Sequence, residues 1–295
     1  MKLATNWSHI VHYPVADRDL LLFYNFDTGT TQSAALEPSG GLTSGPVRHF
    51  AAGWSHIVRC DRLLFFYNEV TGNTAAGTLD SDGDFEQLDL GGAAPGAGWR
   101  LVLGGQDQIL CMATNGHWQR GSIGNVAVKS PSGYAYLSLE LSPWRAGDST
   151  FRSFPQAYAI GRDNVCCLYF ADARVSSSLS IYALWLTDHL LAHVGAWEGG
   201  DLDTEFEILV ANNAQLLGYA IYDGHAAVTR FPDFGFYSDP YRRQAARFTP
   251  LQLSSGWTDI VSVGWRLLFY ASYSGDAMLG FISPLDGSYT DLALS

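Results

Sequence analysis

The sequence is poor in charge, and its shortage of basic residues excludes two classes of partner. Charged residues make up 16% of the 295 residues, and 17 lysines and arginines stand against 29 aspartates and glutamates, for a net charge of −12. Nucleic acids and anionic membrane surfaces both attract a cationic protein face. We therefore expect no nucleic-acid partner, and we interpret the acidity as an ordinary aid to solubility.

Long hydrophobic runs and targeting motifs are also missing. No apolar run approaches the roughly 20 residues of a membrane span, so we expect no membrane insertion. The first residues, MKLATNWSHIV, contain neither an apolar core segment nor a small-residue cleavage site. This absence of a signal peptide predicts a cytoplasmic protein, unless it is exported without a leader.

Cysteine is scarce, and its positions form no metal-binding or redox motif. The four cysteines are Cys60, Cys111, Cys166 and Cys167, with no C-x-x-C spacing. Adjacent residues of a strand point to opposite faces, so Cys166 and Cys167 cannot easily act together. Buried free thiols are a better interpretation than disulfides or zinc ligands.

One phrase recurs along the chain and indicates an internal repeat. NWSHIVHYPVADRDLLLFYNFDTG begins at Asn6, GWSHIVRCDRLLFFYNEVTG at Gly53 and GWTDIVSVGWRLLFYASYSG at Gly256. A shorter match, GWRLVLGG, contains Trp99, and two degenerate copies lie near Ile160 and Phe206. The resulting period of roughly 45 to 51 residues is that of a four-stranded propeller blade.

Each copy is interpreted as four short strands. In the second copy these are Ser55–Arg59, Arg62–Asn68, Thr74–Leu79 and Phe85–Leu90, separated by turn sequences such as T-G-N and D-S-D-G. One such sheet cannot cover both of its faces, so the units must stack radially and close into a ring. We therefore predict an all-β, six-bladed β-propeller of four-stranded antiparallel blades. It forms a single domain with blades at approximately 1–50, 51–95, 96–153, 154–203, 204–253 and 254–295. The segment MKLAT could pair at the seam.

The repeat resembles those of small β-propeller lectins of the tachylectin-2 and tectonin type. The shared pattern is G-W-x-x-I-V, an apolar strand ending in tyrosine, T-G and D-x-x-G-x-F, and it covers nearly the whole chain. This resemblance implies sugar pockets between adjacent blades, with aromatic rings stacking on the sugar. The middle copies lose the phrase, which favours one or a few sites over a full set.

Histidine is the part of the phrase that packing does not explain. Two residues after the tryptophan stand His9 and His56, and the sixth copy carries Asp259 there, whereas other copies carry apolar residues. Copies six, one and two are consecutive in a closed ring. If the three side chains converge near the axis, they form a two-histidine, one-carboxylate site for a divalent metal. The alternative is that each side chain hydrogen-bonds a loop, and packing of this kind is the more common outcome.

Two irregular segments are the other candidates for ligand binding. DFGFYSDPYRRQAARF, in the fifth copy, contains Tyr237, Tyr241, Arg242 and Arg243, and the segment before the fourth copy contains Trp144 and Arg145. Arginine beside an aromatic ring suits recognition of a carboxylate, phosphate or sugar. The alternative is a surface loop whose arginines neutralise nearby acids. Trp118, Trp185, Trp197 and Trp265 are interpreted mainly as blade filler, although an exposed one could stack on a sugar.

Three functions remain open at this point. The first is a lectin-like propeller that binds a neutral glycan or another small ligand. The second is an enzyme with one site in the channel, with a metal-dependent form that uses His9, His56 and Asp259. The third is a scaffold for protein interactions, because a fold does not determine a function.

Overall fold

The described residues form six antiparallel sheets, and in five of them each strand pairs with the next along the chain. The computed structural model describes residues 2–15, 18–88, 94–105, 108–129, 135–141, 145–146, 157–160, 165–171, 179–185, 191–197, 206–212, 215–230 and 249–292. No helix in this part of the chain has the length and hydropathy to cross a membrane.

Five of the sheets are four-stranded blades. Blade 1 contains β1 (His9–Val15), β2 (Arg18–Tyr24), β3 (Thr30–Leu36) and β4 (Leu42–His49). Blade 2 contains β5 (His56–Cys60), β6 (Leu63–Tyr67), β7 (Thr74–Leu79) and β8 (Phe85–Leu88). Blade 3 contains β14 (Ala157–Ile160), β15 (Val165–Ala171), β16 (Leu179–Trp185) and β17 (Leu191–Trp197). Blade 4 contains β18 (Ile208–Asn212), β19 (Gln215–Tyr219), β20 (His225–Arg230) and β21 (Thr249–Gln252). Blade 5 contains β22 (Asp259–Val263), β23 (Arg266–Ala271), β24 (Asp276–Ile282) and β25 (Tyr289–Leu292).

The remaining sheet, between blades 2 and 3, has five strands. It contains β9 (Leu101–Gly104), β10 (Gln108–Met112), β11 (Trp118–Lys129), β12 (Ala135–Leu141) and β13 (Arg145–Ala146). The prediction of six four-stranded blades is therefore wrong, because the residues that the structure describes form five four-stranded blades and this five-stranded sheet. The physical reason is the length of β11, whose 12 residues pair with β13 at one end and with β12 along the other.

A closed ring of first strands makes the assembly a β-propeller. These strands contact one another in the order β1, β5, β9, β14, β18, β22 and back to β1. The core lies between sheets rather than within them. For example, Leu21 and Phe23 of blade 1 pack against Leu268 and Tyr270 of blade 5. Each sheet thus buries both faces only by having neighbours, as the repeat predicted.

A tyrosine explains why the phrase is repeated. Tyr67, at the end of β6, donates its hydroxyl to the Gly96 carbonyl (2.9 Å) and accepts a hydrogen bond from the Trp99 amide (3.0 Å) in the next repeat. We call this arrangement the tyrosine clasp. The same two bonds join Tyr24 to Ala51 and Trp54, Tyr219 to Ser254 and Trp257, and Tyr270 to Ala4 and Trp7. The clasp from Tyr270 closes the ring.

Other letters of the phrase stabilise the turn after the tyrosine. The Ser55 hydroxyl accepts a hydrogen bond from the Glu69 amide (3.0 Å), and Ser8 and Thr258 do the same in their blades. Gly72 adopts φ +74°, and an added Cβ would lie 2.7 Å from the Ala97 amide nitrogen of the next repeat. Only glycine allows both this backbone conformation and this close approach.

The four strands predicted in the second copy are confirmed, with bounds that differ by one or two residues. The predicted pairing at the seam is also confirmed: Lys2 forms a β-bridge with Asp276, and the Leu3 amide donates to Gly275. Cys60 and Cys111 are buried thiols, as predicted, and Cys60 donates a hydrogen bond to the Gln108 carbonyl (3.4 Å).

Candidate functional site

Polar side chains are found at both ends of the channel that the first strands enclose. We call the end where every first strand begins the upper end, and the opposite end the lower end. His9, His56 and Asp259 each open a first strand at the upper end, and they pair in register with Tyr24, Tyr67 and Tyr270. At the same register β9 carries Leu101 and β18 carries Ile208.

His9 is oriented by the neighbouring blade. Its ring Nε2 lies 2.9 Å from the Ser55 carbonyl oxygen, so the proton is on Nε2 and is donated to that oxygen. The other ring nitrogen, Nδ1, is buried and has no hydrogen-bond partner among the described residues. Burial lowers the pKa of His9, and the bond to Ser55 partly offsets this effect.

His56 is the more perturbed of the two histidines. Its ring packs against Tyr67 with the centroids 6.0 Å apart, and its Nε2 is buried without a partner. Burial lowers the pKa of His56 to about 4, and the positive charges of His9 and Arg100 contribute. His56 is therefore neutral at physiological pH, with one buried lone pair or N–H group left unused.

Asp259 differs in its partner and in the direction of its pKa shift. Thr258 donates a hydrogen bond to the carboxylate at 2.9 Å from Oγ1 to Oδ2. Burial nevertheless raises the pKa of Asp259 to about 6. A carboxyl group with this pKa can exchange a proton close to neutral pH.

The structure brings His9 and His56 within electrostatic range of each other. Over the described ranges, no group of three or more histidine, cysteine, aspartate or glutamate side chains could hold a metal ion. The three-ligand metal site stays a prediction.

Trp54 and His56, although two residues apart, do not share one face of blade 2. Trp54 packs against Phe66 in the core towards blade 1, whereas His56 lies on Tyr67, which belongs to the core towards the five-stranded sheet. The reason is that β5 begins at His56, so Trp54 precedes the alternating region.

The lower end holds a chain of hydrogen-bonded charged groups that the sequence did not reveal. Arg266 Nη2 lies 3.3 Å from Asp19 Oδ2, and His12 Nε2 lies 2.8 Å from Asp19 Oδ1. Arg59 Nη1 lies 3.5 Å from His12 Nδ1. We call Arg266, Asp19, His12 and Arg59 the lower-end relay. It crosses blades 5, 1 and 2, the same three that carry polar groups at the upper end.

Burial favours a neutral His12, and this sets the direction of the hydrogen bonds in the relay. The Arg266 side chain is only 5% exposed and also donates to the Glu37 carbonyl at 3.0 Å. Burial lowers the pKa of His12, opposed by its bond to Asp19. A neutral His12 donates from Nε2 to Asp19 and accepts at Nδ1 from Arg59.

Trp265 adjoins this relay in the turn between β22 and β23. Its side chain is 51% exposed, whereas Trp7, Trp118 and Trp257 are 4–8% exposed. The Arg266 guanidinium carbon lies 5.5 Å from the indole centroid, and the Phe281 ring meets the indole at 76° with the centroids 5.2 Å apart. These contacts hold the indole on its inner side and leave its outer side open. The sequence did not distinguish this tryptophan from blade filler.

The other predicted ligand-binding residues lie outside what the structure describes. Tyr237, Tyr241, Arg242, Arg243 and Trp144 fall in such segments, and Arg145 is described only as part of the backbone of β13.

Comparison with known proteins supports the fold. A computationally designed protein, Ika8, aligns with 98% of this chain and 88% of its own length, with a TM-score of 0.52 and 12% identity. A chain of the nidogen–laminin complex aligns with 89% of this chain and 88% of its own length, with a TM-score of 0.51 and 12% identity. A protein from Lactobacillus plantarum aligns with 99% of this chain and 86% of its own length, with a TM-score of 0.49 and 12% identity.

No protein-family model and no curated protein sequence matches the chain. The structural similarities are too distant in sequence to carry more than the propeller fold. None of these three proteins is named as a lectin, so the comparisons do not show a lectin identity.

Proposed function

We propose that the protein binds carbohydrate at the lower end of the propeller, with Trp265 as the platform on which a sugar ring stacks. The observation that supports this most directly is the exposure of Trp265, at 51%, whereas Trp7, Trp118 and Trp257 are buried. An aromatic ring offers a flat apolar face that matches the C–H face of a pyranose. Because Arg266 and Phe281 hold the indole, little side-chain freedom is lost on binding.

Buried polar groups hold the turn that carries Trp265, and titratable groups lie near it. Asn212 donates to the Trp265 carbonyl at 3.3 Å, and the Ser262 hydroxyl bonds Asn212 at 3.2 Å. Asp19 and His12 lie one step beyond Arg266. A stacking ring with fixed donors and acceptors is the usual composition of a small-ligand site.

A broad glycan array with wild-type protein and two variants tests this proposal. Trp265→Ala should weaken binding at least about tenfold, the effect of losing an aromatic contact of about 1.5 kcal/mol. Tyr273→Ala is the matched control, because it removes an 89%-exposed ring from a turn at the upper end and should leave binding unchanged. An array without any hit at millimolar ligand would disprove carbohydrate binding, and equal loss in both variants would remove Trp265 from the site.

Catalysis in the channel is a second candidate, favoured by the unpartnered ring nitrogens of His9 and His56 and by the pKa of Asp259 near 6. Such a site would hold a divalent metal or act by acid–base chemistry. Metal analysis of the purified protein, beside zinc and manganese titrations, tests the metal form. Stoichiometric metal that His56→Leu abolishes would support it, and failure to bind either ion would exclude it.

A further inference from the structure

Arg59 is a partly buried cation whose donors are largely unused. Both of its described hydrogen bonds end on His12, at 3.5 Å to Nδ1 and 3.4 Å to the carbonyl oxygen, and both are long. A guanidinium carries five N–H donors in a planar fork that fits two carboxylate oxygens. In the described part of the chain, Arg59 has no carboxylate within salt-bridge distance.

The charges of the lower-end relay leave one positive charge uncompensated. Asp19 is already bonded to Arg266, and a neutral His12 adds no charge. Two arginines against one aspartate leave the relay with a net charge of +1, located at Arg59. Asp61 raises the pKa of Arg59, but it lies in an exposed turn where solvent screens it, and burial lowers that pKa more strongly.

The first strands carry mostly small residues at the level of Arg59. The registers place His12 and Arg59 at the same level of β1 and β5, three residues beyond His9 and His56. At this level β9, β18 and β22 carry Gly104, Ala211 and Ser262, and β14 carries Ile160. Gly104 packs closely on the Arg59 main chain, where an added Cβ would overlap the carbonyl oxygen. Three of the four other first strands therefore carry no long side chain at this level.

We infer that Arg59 binds the carboxylate of an acidic oligosaccharide whose neighbouring sugar stacks on Trp265. The lower-end relay connects the Trp265 indole with the Arg59 guanidinium, because Arg266 at one end of the relay lies beneath the indole and Arg59 forms the other end. A carboxylate, with one negative charge, matches the net charge of the relay better than a dianionic phosphate does. His12 and Asp19 act as positioning residues that hold the fork in place. This inference rests on the proposed carbohydrate binding and names its ligand class.

Matched ligand pairs test the inference. Uronic-acid and sialic-acid oligosaccharides are measured as free acids and as methyl esters, which keep the sugar and lose the charge. The free acid should bind the wild type about tenfold more tightly, the value of one charge-assisted hydrogen bond. Arg59→Gln should abolish this preference and leave binding of the esters within about twofold.

Two further variants separate this site from general electrostatics. Arg62→Gln removes the same charge from the exposed turn three residues away and should keep the preference for the free acid. Arg59→Lys keeps the charge but lacks the planar guanidinium, so it should keep only part of the preference for the free acid. It also replaces Arg59→Gln in the test if that variant proves unstable. Thermal unfolding midpoints confirm that each variant is folded.

The outcomes distinguish the two proposals. Equal binding of acids and esters by the wild type, or an unchanged preference in Arg59→Gln, overturns the inference, while glycan binding that depends on Trp265 leaves the proposed function intact. No glycan binding of any kind overturns both.

Discussion

The first strands fall into two groups, which differ in their first residue but are joined to their neighbours by the same tyrosine clasp. Blades 5, 1 and 2 open their first strands with Asp259, His9 and His56, whereas β9 and β18 open with Leu101 and Ile208. The tyrosine clasp, in contrast, joins blade 4 to blade 5 in the same way as it joins blades 1 and 2. Ring closure therefore depends on the tyrosine and does not require the histidine.

The difference also shows that a buried ionisable side chain at this position has a free-energy cost. His56 and Asp259 have pKa values displaced by burial in the directions that disfavour charge. Leucine or isoleucine at this register would carry no such cost, as the other first strands show. The polar residues are thus not the choice that packing alone would make, which keeps the upper end of the channel a candidate for function.

The largest effect is expected from breaking the tyrosine clasp, which both groups of strands share. Tyr67→Ala should lower the free energy of unfolding by about 3–5 kcal/mol, because it empties a fully buried ring position and removes both bonds of the clasp. Tyr67→Phe keeps the ring and should cost about 1–3 kcal/mol, since the Trp99 amide and the Gly96 carbonyl lose their partner. Urea unfolding measures both. A phenylalanine variant as stable as the wild type would show that the clasp contributes only through its ring.

A smaller effect is expected from converting a polar position into an apolar one. Unfolded His56 binds a proton near pH 6.5 and folded His56 only near pH 4, so stability falls as the pH decreases between these values. The loss attributable to His56 is about 2–3 kcal/mol. His56→Leu, the residue that β9 carries at this register, should remove that part of the loss. Urea unfolding at pH 7 and pH 4 measures it.

His117→Leu is the control for that experiment, because this side chain is exposed. It should leave the acid dependence as in the wild type. Identical acid dependence in His56→Leu and the wild type would contradict the predicted shift.

The smallest effect is expected at Asp259, and its sign is opposite. Folded Asp259 loses its proton near pH 6 and unfolded Asp259 near 3.8, so its contribution to stability falls as the pH rises between these values. Asp259→Asn should therefore be more stable than the wild type at pH 8, by about 1–2 kcal/mol, and should lose this advantage below about pH 4. The amide oxygen still accepts from Thr258. Lower stability of the variant at pH 8 would indicate a favourable partner for the carboxylate.

The sequence predicted the blade and failed on the details that depend on distant contacts. The period and the turn residues located the strands of blade 2, because these are set by local backbone preferences. The count of four-stranded blades failed at β11, since nothing in its residues shows that it continues past the blade to pair with β12. The clasp was missed because its bonds end on backbone atoms of the following repeat.

The candidate site shows the same division. His12 and Arg59 follow His9 and His56 by the same three residues, so the repeat itself could have identified them. The bond between Asp19 and Arg266 joins residues 247 positions apart, and only closure of the ring brings them together. The exposure of Trp265 depends likewise on its position in a lower-end turn, which its neighbours in the sequence do not reveal.

The hydrogen bonds of the tyrosine clasp end on main-chain atoms of the neighbouring repeat, and this makes the clasp itself modular. The accepting carbonyls belong to Ala51, Gly96, Ser254 and Ala4, and a backbone carbonyl is present whatever the side chain. A duplicated blade with its tyrosine can therefore form the clasp with any sibling without a matching change at that point. Such independence lets a gene lengthen by duplication, and lets each copy then diverge at the channel without loosening the ring.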